Sequence, residues 1–314
     1  MKRLYYSYSS YLKQKYKKKV YKIPVNLPGT CPNRDGQISK QGCIFCDEEG
    51  SGFQCLPNTL SVKEQITANK EFFTQRFNAQ KFIIYFQAFS NTYMPIDAFR
   101  QHIKDAADFP DVVGISISTR PDSIDNRYLD ILKEIQINHS SSLDINIELG
   151  LQTVNYHTLH KINRGHTLAE FVDAILRIKK YQFEICTHII LNLPWDNLTD
   201  VIENAKVLSS LGIHHVKLHS LYIVQNTRLG QMYQNKEFEI ISLDEYIIRV
   251  VTFLEYLDPK IVIQRLVGKG PIDENLFCNW NTSWWLIKQK IEQQMKDLNT
   301  YQGKKYDYLN KKWF

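Results

Sequence analysis

The sequence lacks the features of a membrane-spanning, secreted or multidomain chain. No run reaches the roughly 18–20 apolar residues needed to cross a bilayer, and the first eight residues contain no apolar stretch of the secretory type. No internal repeat, low-complexity tract or Pro/Gly/Ser-rich linker divides the 314 residues. We therefore expect a soluble cytoplasmic protein without membrane partners.

The chain has only six cysteines, and three of them lie within sixteen residues. Without a secretory leader a disulfide framework is not expected, because cytosolic thiols are kept reduced. Cys31, Cys43 and Cys46 have the spacing C-x11-C-x2-C, and such clustering indicates a metal site. Three thiolates can hold three irons of a [4Fe-4S] cluster and leave the fourth iron open to another ligand. Together with Cys55, the same residues could instead form a closed zinc site, and spacing alone does not decide between the two.

The net charge of +6 is concentrated near the N-terminus. A cationic patch with aromatic side chains suits a polyanion, because lysines neutralise phosphates and rings offer stacking faces. The alternative is a solvated helix face, which is the more usual role of a charge run, and the residues alone favour it. The lysines are Lys13, Lys15, Lys17, Lys18, Lys19 and Lys22, and the tyrosines beside them are Tyr11, Tyr16 and Tyr21.

Short apolar runs alternate with helical patterns over the first 220 residues. Apolar strands separated by helices predict parallel pairing that is buried on both faces. Six such units predict an α/β fold, a partial (βα)6 TIM-like barrel, with a doubly wound sheet as the alternative. Both folds place reactive groups at the carboxyl ends of the strands. The predicted strands are Val20–Val25, Phe82–Gln87, Val112–Ser118, Ile145–Leu149, Thr187–Leu191 and Val216–His219.

The pattern loosens after residue 220. A helix (Leu243–Leu257), a short strand (Lys260–Arg265) and an amphipathic helix (Thr282–Leu298) are predicted there. We expect residues 1–220 to form the core, with the basic segment and the cysteine loop. Residues 221–314 are expected to form an α/β extension that packs on the barrel and is not independent.

Several long and unusual strings run along nearly the whole chain: "SYLKQKYKKKVYKIPV", "TCPNRDGQISKQGCIFC", "YFQAFSNTYMP", "VVGISISTRPD", "IELGLQT", "INRGHT", "CTHIILNLP", "VKLHSLYIVQNTRLGQMY" and "IVIQRLVGKGP". In these strings the chain resembles the radical S-adenosylmethionine (SAM) proteins of the YhcC/YtqA type, which share the radical domain of the Elongator catalytic subunit. The resemblance implies a radical SAM barrel, a [4Fe-4S] cluster on Cys31, Cys43 and Cys46, and SAM as the second cofactor. A closed zinc site alone would not account for these sequence strings.

The resemblance also implies SAM contacts at the strand ends. Gln152 and Arg164 match positions that hold the ribose and the SAM carboxylate, and a guanidinium recognises a carboxylate in a bidentate way. A structural role is the alternative for each such residue taken alone. The implied cofactor-binding residues are Gln87, Ser90, Asn91, Thr92, Ser118, Arg120, Glu148, Gln152, Arg164 and His188.

One segment departs from the family pattern. Residues 192–195 read Asn-Leu-Pro-Trp where the family usually has Gly-Leu-Pro-Gly. We expect the bulky Trp195 to lie beside the cofactor and to alter the shape of the substrate pocket.

The reaction implied by the resemblance begins with cleavage of SAM to a 5′-deoxyadenosyl radical. Similar enzymes are associated with conversion of 5-carboxymethylaminomethyl-uridine to 5-aminomethyl-uridine at the wobble position of tRNA. The expected partners are tRNA and an electron donor such as flavodoxin or ferredoxin. Two alternatives stay open: a radical SAM enzyme acting on a small metabolite or a protein, and a non-catalytic metal-containing RNA-binding protein.

Overall fold

The computed structural model describes residues 3–47, 50, 52, 55–140, 142–270 and 275–307. Seven parallel strands form one curled sheet, a half-barrel, and a short antiparallel pair lies apart from it. The strands are β1 (Val20–Asn26), β2 (Lys81–Gln87), β3 (Val112–Thr119), β4 (Asp144–Gln152), β5 (Glu184–Ile190), β6 (His215–His219), β7 (Ile223–Val224), β8 (Val262–Arg265) and β9 (Asn275–Phe277). The helices are α1 (Tyr8–Tyr16), α2 (Val62–Phe77), α3 (Ile96–Ala107), α4 (Asn126–Asn138), α5 (Tyr156–Lys161), α6 (Leu168–Lys180), α7 (Leu198–Ser210), α8 (Arg228–Gln234), α9 (Leu243–Tyr256) and α10 (Trp284–Asp297).

The strand order in the large sheet is β1-β2-β3-β4-β5-β6-β8. Each new strand is added on the same side of the previous one, whereas a doubly wound sheet reverses direction near its middle. The partial TIM-like barrel is therefore confirmed and the doubly wound alternative is wrong. The sheet has seven strands and not six, because β8 comes from the predicted extension and pairs with β6 through Val216 and Ile263.

The helices begin where the sequence provides capping groups. Ser61 and Glu64 form a capping box at the start of α2, and Thr167 and Glu170 form another at α6. Each box satisfies two amide groups that have no partner inside the helix. These short polar signals make helix starts readable in the sequence.

The strands of the large sheet present two different faces. In β4 the odd-numbered residues Ile145, Ile147 and Leu149 join the main hydrophobic core with the apolar face of α6. Burying each such side chain contributes roughly 1.5–3 kcal/mol to folding. The even-numbered residues Asn146 and Glu148 are polar and point to the other face, because successive side chains alternate. The strands are therefore buried on both faces as predicted, and the inner face encloses a polar chamber.

The N-terminal segment bridges the open side of the half-barrel, between β1 and β8. The Ile263 amide donates to the Tyr6 carbonyl (2.7 Å), and α1 packs on both edge strands. The Gln302 side chain accepts from the Tyr6 amide (2.8 Å). Residues near both ends of the described chain thus contact each other between β1 and β8. Among the helices of the described residues, none has the length and apolar character that a membrane crossing requires.

Candidate active site

A cavity of about 470 Å³ opens at the carboxyl ends of the strands and extends into the chamber. Cys31, Cys43 and Cys46 all line it. Six of the predicted SAM residues line it as well. They are Gln87, Ser118, Arg120, Gln152, Arg164 and His188.

The cysteines lie on the loop between β1 and α2. The Arg34 amide donates to the Cys31 carbonyl (2.8 Å), and the Cys46 amide donates to the Cys43 carbonyl (3.0 Å). Gly42 has a φ of +70°, a left-handed conformation that glycine adopts at little cost. These turns bring three cysteines, separated by up to fifteen positions in sequence, to one cavity.

A second segment holds the cysteine loop in place. Asn33 donates to the Asn163 carbonyl (2.7 Å), and Asn163 donates to the Gly42 carbonyl (2.6 Å). Gly165 packs against the same loop with a φ of +74°, and a Cβ there would lie 2.8 Å from Asn33 Oδ1. The segment after α5 and the cysteine loop therefore form one closely packed unit.

Three guanidinium groups face the three thiols, one to each sulfur. Burial above all, and secondly the neighbouring Cys43, raises the pKa of the Cys46 thiol to about 12, so this thiol is protonated until a metal ion binds. The surrounding positive charge favours an anionic, thiolate-bound group. The donor set and its cations fit a [4Fe-4S] cluster on three thiolates. The pairs are Arg34 Nη1 with Cys46 Sγ (3.8 Å), Arg120 Nη1 with Cys31 Sγ (3.9 Å) and Arg164 Nη1 with Cys43 Sγ (3.4 Å).

Cys55 would be the fourth ligand of a closed zinc site. It does not line the cavity with the other three cysteines. Its Sγ accepts a hydrogen bond from Gln87 Nε2 (2.9 Å). The arrangement therefore favours a three-thiolate site with an open position over a four-thiolate site.

The two predicted arginines are held by the protein in different ways. Arg120 makes a bidentate ion pair with Asp122 (2.9 and 2.8 Å). Arg164 donates from Nη2 to the Gly150 carbonyl (2.6 Å), which leaves Nη1 directed at Cys43. Gln152 lies at the bulged end of β4 with a φ of +81°. The structure thus brings these side chains to one cavity, and their contacts with SAM stay predictions.

The side chains of Ser90, Asn91 and Thr92 do not line the cavity. The Ser90 and Thr92 hydroxyls contact Thr119 Oγ1 (2.9 and 2.6 Å), and Asn91 donates to the Ser118 carbonyl (2.8 Å). These bonds tie the loop after β2 to the end of β3. They give the three residues a role in shaping the cavity wall and do not support direct contact of their side chains with SAM.

Glu148 is fully buried within the chamber, and both of its oxygens are engaged. Oε1 accepts from Lys22 and from Ser116 (2.8 Å), and Oε2 accepts from Lys217 (2.5 Å) and His188 (2.8 Å). Burial alone would raise the pKa of Glu148, but the ammonium groups of Lys217 and Lys22 hold it well below its ordinary value. Because both oxygens of Glu148 already accept hydrogen bonds from protein groups, the structure does not support the predicted contact between Glu148 and the SAM ribose.

Glu148, Cys186 and His188 place ligand-type atoms within 4.8 Å of one another. The ammonium groups of Lys22 and Lys217 already occupy the space that a cation would need beside the carboxylate. Burial, followed by the charge of Lys217, lowers the pKa of His188 to about 4. His188 is therefore neutral at pH 7 and donates to Glu148. The group is an ion network and not a metal site.

Most of the charged groups inside the chamber are not predicted from the sequence. The sequence pattern places Lys22 in a cationic patch and indicates no role for Lys217 or Arg265. All three line the cavity. The signal was available in the period-two pattern of the strands: His215, Lys217 and His219 alternate with apolar residues in β6.

Trp195 is placed differently from the expectation. It packs on Phe238 (ring centroids 5.6 Å apart) and below Lys161 Nζ (5.0 Å from the ring centre), in a second hydrophobic cluster. It does not line the cavity. Asn192 is buried and accepts from the Leu221 amide (2.6 Å), which ties the end of β5 to the end of β6. Trp195 therefore acts through packing and Asn192 through a hydrogen bond between strand ends, and neither side chain lines the cavity.

Comparisons with known proteins agree with this geometry. The sequence model described as the Radical SAM superfamily matches residues 27–208, and the Radical_SAM C-terminal domain matches residues 213–297. The uncharacterized protein YtqA of Bacillus subtilis is 32% identical over 97% of this chain and 94% of its own length. The tRNA uridine(34) acetyltransferase of Methanocaldococcus jannaschii is 23% identical over 48% of this chain and 27% of its own length. The solved structure of archaeal Methanocaldococcus infernus Elp3 is similar with a TM-score of 0.69 and 13% identity, over 91% of this chain and 64% of that chain, which shows a shared fold.

Proposed function

Because the chain belongs to the radical SAM superfamily, we propose that it is the superfamily enzyme that modifies a wobble uridine of tRNA. The superfamily uses a [4Fe-4S] cluster and SAM. In the proposed reaction, the C–N bond to the carboxymethyl group of 5-carboxymethylaminomethyl-uridine is broken, which leaves 5-aminomethyl-uridine. With the addition of water the two-carbon group leaves as glyoxylate, and the two electrons that this oxidation releases are those consumed when SAM is cleaved to methionine and 5′-deoxyadenosine. A reduced donor of the flavodoxin or ferredoxin class would supply the electron that starts the cycle.

The bound cofactors supply a 5′-deoxyadenosyl radical that abstracts a hydrogen atom from an unactivated carbon. The residues of this chain hold and shield that chemistry. Cys31, Cys43 and Cys46 are the cluster ligands, and the guanidinium groups of Arg120 and Arg164 balance the charge of the thiolates. The enclosing sheet keeps water from the chamber, which protects a reactive intermediate from side reactions.

The observation that carries the tRNA assignment is a basic groove of about 930 Å³ on the open side of the half-barrel. Lys22 and Arg265 line both this groove and the active-site cavity, so the two are adjacent. A polyanion bound along the groove would therefore lie at the entrance to the chamber. The groove-lining lysines are Lys13, Lys17, Lys18, Lys19 and Lys288, and the aromatic side chains among them are Tyr5, Tyr8, Tyr21 and Trp284.

The basic run near the N-terminus has two roles and is more than a solvated helix face. Lys15 pairs with Asp144 (2.9 Å) and Glu184 (2.8 Å), and Lys22 is buried against Glu148. The other four lysines of the run line the groove. The relative that is named a tRNA uridine(34) acetyltransferase gives independent support for a wobble uridine substrate.

The test measures 5′-deoxyadenosine formed by reconstituted, reduced enzyme with and without tRNA that carries 5-carboxymethylaminomethyl-uridine. We expect tRNA to stimulate cleavage and nucleoside analysis to detect 5-aminomethyl-uridine. Cleavage that is indifferent to tRNA would overturn the assignment and direct the search to metabolites or proteins.

A charge-matched pair of triple variants tests the groove. Lys13, Lys18 and Lys19 are changed to Ala in one, and the exposed Lys104, Lys180 and Lys260, which lie outside the groove, in the other. Each phosphate contact adds about 0.9 to the slope of log affinity against log salt. For the first variant, the slope of log tRNA affinity against log salt should therefore be smaller in magnitude by about 2–3 than for the wild type. For the second variant, the slope should change much less. Equal losses would show that only net charge matters.

A further inference from the structure

The inner part of the chamber carries more positive charge than its carboxylate neutralises. Lys22, Lys217 and Arg265 are three cations on β1, β6 and β8, and Glu148 pairs with only the two lysines. Lys217 and Arg265 are directly opposed in the pairing of β6 with β8. Among the residues that the structure describes, one cation of this cavity is therefore left without a carboxylate partner.

Arg265 is that cation. Its Nη2 contacts the His219 ring (2.8 Å to Nε2), and its Nε has no hydrogen-bond partner among the described residues. No carboxylate of the described residues forms an ion pair with it, whereas the buried Arg120 and Arg249 pair with Asp122 and Glu245. The Arg265 side chain is half-buried, and its Nε is a buried donor without a partner, which costs free energy unless a ligand accepts from it.

The environment of Arg265 suits an anionic group that enters from the cavity. Burial first, and then the adjacent guanidinium, holds the pKa of His219 well below its ordinary value, so His219 is neutral and adds no competing charge. Arg265 lines both the cavity and the basic groove. A ligand that reaches the chamber from the groove therefore passes this side chain.

We propose that Arg265 binds the carboxylate of the substrate and selects for substrates that carry one. The proposal rests on the proposed function, whose substrate has a carboxylate at the end of its side chain. A guanidinium binds a carboxylate with two parallel hydrogen bonds and discriminates against a neutral amide. Arg265 lies on β8, whereas Arg164 follows β4, so the two arginines lie on separate walls of the cavity.

The experiment compares tRNA that carries the natural carboxymethylaminomethyl group with tRNA in which that carboxylate has been converted to a carboxamide. A charge-assisted hydrogen bond to a buried group changes recognition by about tenfold to a hundredfold. We expect the wild-type enzyme to prefer the carboxylate by about that factor in kcat/KM, mostly through KM. Arg265→Gln should abolish the preference and Arg265→Lys should keep part of it.

Two controls separate recognition from folding. Arg249→Gln changes a buried arginine that does not line the cavity, and it should leave the preference intact. Iron content after reconstitution should be the same in Arg265→Gln as in the wild type, because the three cavity cysteines lie on the loop between β1 and α2 whereas Arg265 lies on β8. If Arg265→Gln still prefers the carboxylate, the proposal is overturned.

A direct binding measurement keeps the proposal testable if tRNA is not the substrate. N-methylglycine and its amide are titrated against reconstituted wild-type and Arg265→Gln protein, with bound fractions followed by ligand-detected NMR. Selective binding of the carboxylate that is lost in the variant would support the anion site even though the proposed function had failed. Equal binding to both proteins would overturn it.

Discussion

Positive charge is concentrated in two parts of the chamber, which hold it in different ways. The first is the rim, where the guanidinium groups of Arg34, Arg120 and Arg164 face the three cysteines. The second is the inner part, which contains Lys22, Lys217 and Arg265. At the rim, Arg120 and Arg164 are held by protein acceptors, and each also faces a cysteine sulfur. Farther in, Lys22 and Lys217 are neutralised by Glu148, and no carboxylate of the described residues pairs with Arg265. The cations at the rim face cysteine sulfurs, so their charge suits an anionic group bound by those sulfurs. The inner charges are mainly structural, with one exception.

The largest effect should come from breaking the inner ion network. Glu148→Gln leaves two buried ammonium groups without a counter-ion, which costs about 3–5 kcal/mol in other proteins. We expect a loss of that size in the free energy of unfolding, measured by urea denaturation. Glu134→Gln, which removes an exposed pair with Arg100, should have no measurable effect. If the two variants unfold alike, Glu148 does not neutralise the lysines.

Asp196 is a second buried carboxylate, and its environment is the opposite of that of Glu148 because it has no cation paired with it among the described residues. Burial raises the pKa of Asp196 from its ordinary value of 3.8 to about 6. A raised folded pKa means that ionisation favours the unfolded chain, so the contribution of Asp196 to stability falls as pH rises from about 4 to about 6. Asp196→Asn should remove this contribution and raise the free energy of unfolding at pH 7 by about 3 kcal/mol.

Chemical denaturation at a series of pH values gives this result directly. Glu148, whose pKa is depressed, contributes in the opposite sense, since its stabilisation is lost only as pH falls below its ordinary range. His188, whose pKa is lowered to about 4, adds stability as pH rises over the same range, so the test is the difference between the two proteins. A difference between wild type and Asp196→Asn that does not grow from pH 4 to pH 6 would contradict the account.

The smallest effect concerns the packing of the rim. Gly165 and Gly212 both have positive φ, so an alanine costs about 1–2 kcal/mol at either position. At Gly165 the new Cβ also meets Asn33 and Arg120, whereas at Gly212 it meets only the flexible end of Lys179. We expect Gly165→Ala to cost about 1 kcal/mol more and to lower iron occupancy after reconstitution. Equal iron contents in the two variants would argue against a rigid rim.

Much of the fold could be predicted from sequence because its signals are local. The capping box at Ser61 and the apolar run of β2 each act within a few residues. The pattern predicts a short strand at Lys260–Arg265 but does not place it in the main sheet, because that place depends on pairing with β6. Pairing between segments that are distant in sequence cannot be predicted from either segment alone.

The site was predictable in part for the same reason. The cysteines share one short loop, so their spacing indicates a metal site. Ala88 and Phe89 have φ values of +71° and +49°, and this turn carries the following polar side chains toward β3 and away from the cavity. The Arg265 guanidinium stands out only once β8 is known to line the chamber. Backbone turns and sheet order, which sequence patterns do not encode locally, account for these differences.

The most direct test of the account is the iron content and SAM cleavage of four single variants after anaerobic reconstitution. Cys31→Ala, Cys43→Ala and Cys46→Ala should each lose the [4Fe-4S] signal in electron paramagnetic resonance and all 5′-deoxyadenosine formation. Cys278→Ala, which changes a cysteine outside the cavity, should retain about four irons per chain and full cleavage. Zinc in place of iron in the wild-type protein, or cleavage that survives loss of any of the three cavity cysteines, would contradict the central claim.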